Sequence, residues 1–75
     1  MIYIYGRAGC QPCQSVKNYC ESNNLTYEYY DVLAQPEYRT EVETKLGHPI
    51  SSVPHVFIDD KYIGNADDFL QHMRK

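Results

Sequence analysis

Two cysteines separated by two residues, Cys10 and Cys13, are the residues whose type and spacing could do chemistry. Such a C-x-x-C pair in a chain without secretion features is typical of a redox-active dithiol or of half a zinc site. In the redox case one thiolate attacks a disulfide, a mixed disulfide forms, and the second thiol releases the product. Zinc needs four ligands, and the chain's three histidines are scattered without ligand spacing. The pair therefore favours thiol–disulfide exchange, with a zinc site as the alternative.

The local sequence gives the two cysteines different roles. Pro12 fits the first turn of a helix, so Cys10 lies where that helix begins. Unpaired N–H groups and the positive end of the helix dipole favour its thiolate, and Arg7 adds positive charge nearby. We expect the pKa of Cys10 to fall below the ordinary value of about 8.5. Cys13 lies almost one turn into the helix, so we expect it to remain a buried thiol that resolves the mixed disulfide.

A third cysteine, Cys20, lies two helical turns beyond Cys13 on nearly the same helix face. We expect it to be a small core residue, since free cysteines are often buried. The alternative is a regulatory or dimer-forming thiol.

The elements that position these residues are predicted in the order β-α-β-α-β-β-α. Strands are expected at 2–5, 26–30, 55–58 and 61–63, and helices at about 12–23, 36–46 and 66–75. A strand, a crossover helix and a strand form a right-handed parallel pair, and Asp59-Asp60 forms a hairpin turn. Asn65 caps the last helix, which ends in Arg74 and Lys75. The prediction is an α/β fold with one four-stranded mixed sheet and helices packed on its faces.

Size and charge limit the class of protein. A chain of 75 residues is expected to form one domain, residues 1–75. The net charge of −3 disfavours nucleic-acid binding, which needs a basic patch. No apolar run approaches the ~20 residues of a membrane span, and the N-terminus lacks the layout of a signal peptide. We therefore expect a cytoplasmic domain that binds neither nucleic acid nor membrane.

Four segments resemble one family, the glutaredoxins of the thioredoxin superfamily. The segment 6–13, GRAGCQPC, resembles the active-site segment that follows the family's first strand. Ser52-Val53-Pro54 resembles the family's T-V-P, whose proline is cis, and 56–59 resembles its third strand. The segment 63–69, IGNADDF, resembles I-G-G-x-x-D-F. The resemblance covers nearly the whole chain, is greatest to short bacterial and bacteriophage forms, and implies a thioredoxin-like fold with strand order 2-1-3-4.

The resemblance also implies an activity. It indicates a dithiol–disulfide oxidoreductase that reduces protein disulfides and glutathione mixed disulfides, with ribonucleotide reductase as one candidate target. Glutathione would be a co-substrate, with no tightly bound cofactor or metal, and the protein would be a monomer. Either glutathione or a thioredoxin reductase could be the reductant. The alternative function is an iron–sulfur cluster or metal carrier, because some glutaredoxins hold a cluster between two subunits.

The loop before the third strand is implied to bind the substrate backbone. If the Val53–Pro54 peptide bond is cis, the N–H and C=O of Val53 face Cys10. Together with Ser52, they can then pair with an extended substrate in the manner of an added strand.

The remaining glutathione-binding residues are implied by position. Arg7 suits the glycyl carboxylate, the start of the last helix suits the γ-glutamyl carboxylate, and Asp68 suits its ammonium group. Pro12 replaces the family's aromatic residue and removes one wall of the groove. Asp67 replaces a Thr, Ser or Cys and brings a like charge near the substrate carboxylate. Both departures predict weaker glutathione binding; the alternative for Asp67 and Asp68 is that they are acids stabilising the helix start.

Overall fold

A computed structural model describes residues 1–74, and its elements follow the predicted order. They are β1 (Ile2–Gly6), α1 (Gln11–Ser22), β2 (Tyr27–Asp31), α2 (Pro36–Leu46), β3 (His55–Ile58), β4 (Lys61–Gly64) and α3 (Ala66–Met73). β1 and β4 each extend one residue further than predicted, because Gly6 still pairs with Asp31 and Gly64 with Val56. Lys75, predicted at the end of the last helix, lies outside the described residues.

The strands form one mixed sheet in the order β2-β1-β3-β4, as predicted. β1 pairs in parallel with β2 and antiparallel with β3, and β3 pairs antiparallel with β4. The central strand β1 therefore leads directly into the segment that carries Cys10. Gly9 adopts a φ of 78°, a left-handed conformation that glycine accepts without strain, at the turn before α1.

Helices cover both faces of the sheet. Successive side chains of a strand point to opposite faces, and β1 supplies one residue set to each core. On one face Ile2 and Ile4 pack with residues of α1, β3 and α3: Val16, Cys20, Val56, Ala66 and Phe69. On the other face Tyr5 packs beneath α2 with Val32, Val42, Ile50 and Phe57. The fold is therefore thioredoxin-like, a sheet between α1 and α3 on one side and α2 on the other.

The predicted ends of α1 and α2 and the predicted start of α3 are confirmed, while α3 ends at Met73 with Arg74 as its C-cap. Asn23 is the C-cap of α1, and Gly47 ends α2 in a left-handed conformation with a φ of 81°. At the start of α3 the Asn65 side chain accepts from the Asp68 N–H, and the Asp68 carboxylate accepts from the Asn65 N–H. This reciprocal capping box fixes the entry of the chain into α3. Within residues 1–74, no helix has both the length and the apolar character needed to cross a membrane.

Candidate active site

Cys10 and Cys13 lie together at the start of α1. Cys10 is the N-cap residue in an extended conformation, and its Sγ accepts a hydrogen bond of 3.2 Å from the Cys13 N–H. The two side chains form a disulfide, with their Cα atoms 5.2 Å apart. The first turn of α1 thus places the Cys10 sulfur against a backbone N–H that has no acceptor within the helix, a position that stabilises negative charge.

The two sulfurs differ in their exposure. Cys10 is partly exposed at the surface, whereas Cys13 is 1% exposed. Gly6, the last residue of β1, allows Cys13 to pack this closely. A Cβ at Gly6 would approach both the Cys13 Sγ and the Tyr29 hydroxyl to 2.8 Å. The chain therefore offers an accessible sulfur at Cys10 and an inaccessible one behind it.

The loop before β3 lies opposite Cys10. The Val53 carbonyl oxygen is 3.9 Å from the Cys10 Sγ, and the Val53–Pro54 peptide bond is cis. Pro54 is fully buried, whereas Ser52 is exposed and Val53 partly so. The backbone of Val53 is thus brought beside the reactive sulfur, at the edge where an extended chain could pair with it.

A buried histidine, which no motif in the sequence marks as functional, anchors this loop. His55 Nε2 lies 2.8 Å from the Ser52 carbonyl oxygen, and its Nδ1 lies 2.9 Å from the Tyr62 hydroxyl. Because a carbonyl can only accept, Nε2 carries the proton and neutral His55 accepts from Tyr62 at Nδ1. Burial lowers the pKa of His55, and this outweighs the opposing effect of the Ser52 carbonyl. The imidazole therefore ties the loop before β3 to β4.

A groove of about 500 Å³ opens beside Cys10. Four residues predicted for substrate binding line it: Arg7, Pro12, Ser52 and Val53. Seven further lining residues were not predicted. Gly9, Gln11 and Ser51 directly adjoin predicted residues in the sequence, whereas the other four do not: Val32, Leu33, Arg39 and Ile50. They come from the loop after β2, from α2 and from the loop after α2, and only the tertiary fold brings these segments to Cys10.

Arg39 is held at the groove by two fixed contacts. Its Nε lies 3.1 Å from Glu43, one helical turn further along α2, and its Nη2 donates to the Ile50 carbonyl at 3.2 Å. Glu43 also accepts from the Ile50 N–H at 3.0 Å. The Ile50 amide, and then Arg39, hold the pKa of Glu43 below its usual range. The Arg39–Glu43 spacing is visible in the sequence, but the contact of this pair with the loop is not.

Asp67 and Asp68 lie outside the lining of this groove. Both are in the first turn of α3, where negative charge is favourable, and Asp68 is engaged in the capping box. Asp68 contributes instead to a smaller depression of about 270 Å³ between β4 and α3. The capping box satisfies the N–H groups of Asn65 and Asp68. The N–H groups of Ala66 and Asp67 are the donors at the start of α3 that the capping box does not use.

Cys20 lies in the apolar core with Ile4, Val16 and Phe69, and is fully buried. Burial raises the pKa of its thiol. This matches the prediction of a small core residue. In the part of the chain that the structure describes, no group of three or more His, Cys, Asp or Glu side chains could hold a metal ion.

Comparison with known proteins gives a consistent result. The family model "Glutaredoxin" matches residues 2–63. A glutaredoxin from Vibrio cholerae is 33% identical over 91% of this chain and 84% of its own length. Glutaredoxin 1 from Escherichia coli is 32% identical over 88% of this chain and 84% of its own length.

Solved structures show the same architecture. The structure of reduced Escherichia coli glutaredoxin superposes with a TM-score of 0.80 at 29% identity, covering 97% of this chain and 92% of that one. A buckwheat glutaredoxin–glutathione complex also has a TM-score of 0.80, covering 97% of this chain and 67% of that one. At 21% identity, the buckwheat protein shows likeness of fold alone.

Proposed function

This chain belongs to the glutaredoxin family of thiol–disulfide oxidoreductases, and we propose that it reduces protein disulfides and glutathione mixed disulfides through Cys10 and Cys13. The observation that carries the proposal is the asymmetry of the two sulfurs. Cys10 is partly exposed and its Sγ accepts a hydrogen bond from the Cys13 N–H, whereas Cys13 is buried. Cys10 is therefore the attacking residue and Cys13 the resolving one.

The proposed reaction consists of two exchanges. The Cys10 thiolate attacks one sulfur of the substrate disulfide, forms a mixed disulfide and expels the other sulfur as a thiolate. Cys13 then gives up its proton and attacks the Cys10 Sγ, which closes the Cys10–Cys13 disulfide and releases the second substrate sulfur. The substrate gains two electrons and two protons. An external thiol reductant, glutathione or a thioredoxin reductase, returns the two electrons to the protein.

Glutathione is proposed as the co-substrate. Arg7 supplies a guanidinium to the groove for the glycyl carboxylate, and Val53, beside Ser52 and Pro54, offers its backbone for pairing. The first-turn amides of α3 would receive the γ-glutamyl carboxylate, and Asp68 its ammonium group. The glutathione complex of the buckwheat protein supports this assignment at the level of the shared fold.

The proposed function also includes a domain organisation, a cellular compartment and one protein target. Both cores share one sheet, which supports treating residues 1–75 as a single domain. That this domain acts as a monomer is proposed on family resemblance alone. A buried free thiol at Cys20 suits a reducing cytoplasmic compartment. Ribonucleotide reductase is proposed as one protein target on family resemblance alone.

The experiment that tests the function compares two single variants on two substrates. Cys10→Ser should abolish reduction of both a protein disulfide and a glutathionylated peptide. Cys13→Ser should block reduction of the protein disulfide but retain reduction of the glutathionylated peptide, because free glutathione can resolve that intermediate. Equal activity of the two variants on the protein disulfide would overturn the assigned roles. Rates of reduction of the Cys10–Cys13 disulfide by glutathione and by a thioredoxin reductase identify the reductant.

Asp67→Thr tests the glutathione contacts. If Asp67 faces the γ-glutamyl carboxylate, removing its charge should strengthen glutathione binding several-fold, and more at low salt than at moderate salt. The measurement is the rate against glutathione concentration with a fixed glutathionylated peptide. If Asp67→Thr gives no gain in glutathione binding that depends on salt, Asp67 only stabilises the start of α3.

A further inference from the structure

Two hydrogen bonds through one imidazole connect β4 to the loop before β3. The Tyr62 hydroxyl donates to His55 Nδ1 at 2.9 Å, and His55 Nε2 donates to the Ser52 carbonyl at 2.8 Å. Both ring nitrogens therefore have a partner, and the imidazole is buried, so its orientation is fixed. Tyr62 is itself held in place, since its ring packs on Phe57 with centroids 5.2 Å apart. The Ser52 carbonyl is thus anchored to the sheet through one side chain of β3 and one of β4.

The anchored carbonyl determines where the next N–H points. Ser52 and Val53 share a trans peptide unit, which is planar and directs its C=O and its N–H to opposite sides. Because the C=O faces His55, the Val53 N–H faces away from His55, and it makes no hydrogen bond within residues 1–74. The Val53 carbonyl oxygen lies 3.9 Å from the Cys10 Sγ. Val53 therefore presents a backbone donor and a backbone acceptor beside the reactive sulfur.

The loop has few other contacts that could hold this orientation. Within residues 1–74, no backbone–backbone hydrogen bond joins 51–53 to another segment. Helix α2 holds the loop at Ile50, two residues before Ser52, and Pro54 is fully buried on the other side. The backbone dihedrals between these two points are otherwise free to rotate. The hydrogen bond from His55 therefore sets the orientation of the peptide unit that lies between them.

These observations extend the proposed function to two further residues, and the inference rests on that function. We propose that His55 and Tyr62 are positioning residues that orient the Val53 N–H and C=O for pairing with the backbone of an extended polypeptide substrate. A polypeptide disulfide pairs its own N–H and C=O groups with Val53 while its sulfur meets Cys10. A small disulfide without peptide groups has nothing to pair. His55 and Tyr62 therefore raise the rate with polypeptide disulfides and leave the rate with small disulfides unchanged.

Two disulfides separate positioning from a general structural role. One joins two copies of a capped Ala-Cys-Ala peptide, and the other is 2-hydroxyethyl disulfide, which has no peptide groups. Each oxidises the reduced protein without glutathione, and acid-quenched samples are analysed by mass spectrometry. Each rate is divided by the rate at which dithiothreitol reduces the same disulfide, which removes differences in intrinsic reactivity.

Each variant changes one hydrogen bond of the chain or of its control. His55→Leu removes the donor to Ser52, whereas His55→Gln keeps one, because the side-chain amide can reach the position of Nε2. Tyr62→Phe removes only the hydroxyl from a ring that is 44% exposed. Tyr27→Phe is the matched control, since its hydroxyl donates to Glu21 at the opposite edge of the sheet. Urea unfolding verifies that each variant is folded.

We expect His55→Leu to slow the peptide disulfide about five- to ten-fold, as for the loss of about one hydrogen bond, and to leave the small disulfide within about two-fold. Tyr62→Phe should slow the peptide disulfide several-fold, and His55→Gln should recover most of the original rate. Tyr27→Phe should react with both disulfides at the original rate. Methylating the amide nitrogens beside the peptide's cysteine should slow the original protein and remove the difference between it and His55→Leu.

Equal slowing of both disulfides in His55→Leu would overturn the positioning role while leaving the oxidoreductase function intact. A rate with the peptide disulfide as low in His55→Gln as in His55→Leu would overturn it likewise. If His55→Leu does not fold, Tyr62→Phe decides, and an original rate with the peptide disulfide in that variant would overturn the role. If neither disulfide oxidises the Cys10–Cys13 dithiol of the original protein, the proposed function fails and the positioning role fails with it.

Discussion

The backbone N–H of Cys13 donates a hydrogen bond to the Sγ of Cys10 across 3.2 Å. One residue of the pair therefore supplies a dipole that stabilises negative charge on the other, and the helix geometry does not allow the reverse. Arg7 lines the same groove as Cys10. Two chemically identical side chains thus have different environments within a single helical turn.

The first prediction concerns titration of the two thiols. In the reduced protein Cys10 should have a pKa below the ordinary value of about 8.5 and well below that of Cys13. The measurement is the rate of alkylation at each cysteine against pH, with the modified residue mapped by mass spectrometry. Arg7→Gln should raise the pKa of Cys10 only modestly, since an exposed charge is screened. A Cys10 pKa at or above about 8.5 would refute activation by the helix start.

Gly6→Ala should damage the site through packing. The added Cβ would meet Cys13 Sγ and the Tyr29 hydroxyl at 2.8 Å, so one of them must move. We expect a stability loss of about 1–3 kcal/mol in urea unfolding and slower release of protein substrates by Cys13. Gly47→Ala is the control: its φ of 81° makes alanine costly there, yet it lies away from the cysteines. A normal resolving step in Gly6→Ala would contradict the packing argument.

His55 should make stability depend on pH. Burial lowers the pKa of His55 below its unfolded value of about 6.5, so the unfolded state binds the proton more readily. Its stabilising contribution is therefore present above about pH 6.5 and is lost as pH falls from there toward the folded pKa. Urea unfolding at about pH 7.5 and 5.5 should show a smaller loss on acidification in His55→Gln than in the original protein. An equal loss on acidification in His55→Gln and in the original protein would be evidence against this role.

Cys20→Ala separates a core residue from a regulatory thiol. Because Cys20 is fully buried in the apolar core, the substitution should lower stability by about 1–3 kcal/mol. Disulfide exchange by Cys10 should proceed at the original rate, and oxidant should produce no covalent dimer through Cys20 in the parent protein. The exchange rate is measured in an activity assay, and a covalent dimer is sought by mass analysis without reductant. A Cys20-linked dimer in the parent would instead support the regulatory alternative.

The sequence predicts the order of elements because its signals are local. Pro12, Asn23, Gly47 and Asn65 each mark a helix end through backbone chemistry that needs no distant partner. The position of Cys10 at the start of α1 follows from the same signals. These features can therefore be predicted from the amino-acid sequence alone.

The rest of the site depends on contacts between distant segments. His55 anchors Ser52 only because β4 brings Tyr62 beside it, and Arg39 reaches the Ile50 carbonyl only because α2 packs over the sheet. Asp67, which the family resemblance assigns to glutathione binding, lies outside the groove lining around Cys10, so its role stays a prediction. Local patterns do not contain the information that decides such contacts.

Trapping the mixed disulfide is the sharpest test of Cys10 as the attacking residue. Reduced Cys13→Ser is mixed with a protein disulfide substrate, quenched with acid, digested without reductant and mapped by mass spectrometry. We expect one covalent adduct, joined through Cys10, that does not form with Cys10→Ser and does not accumulate in the original protein. An adduct through Cys20, or through Cys13 in Cys10→Ser at an equal rate, would contradict the assignment of Cys10 as the attacking thiolate.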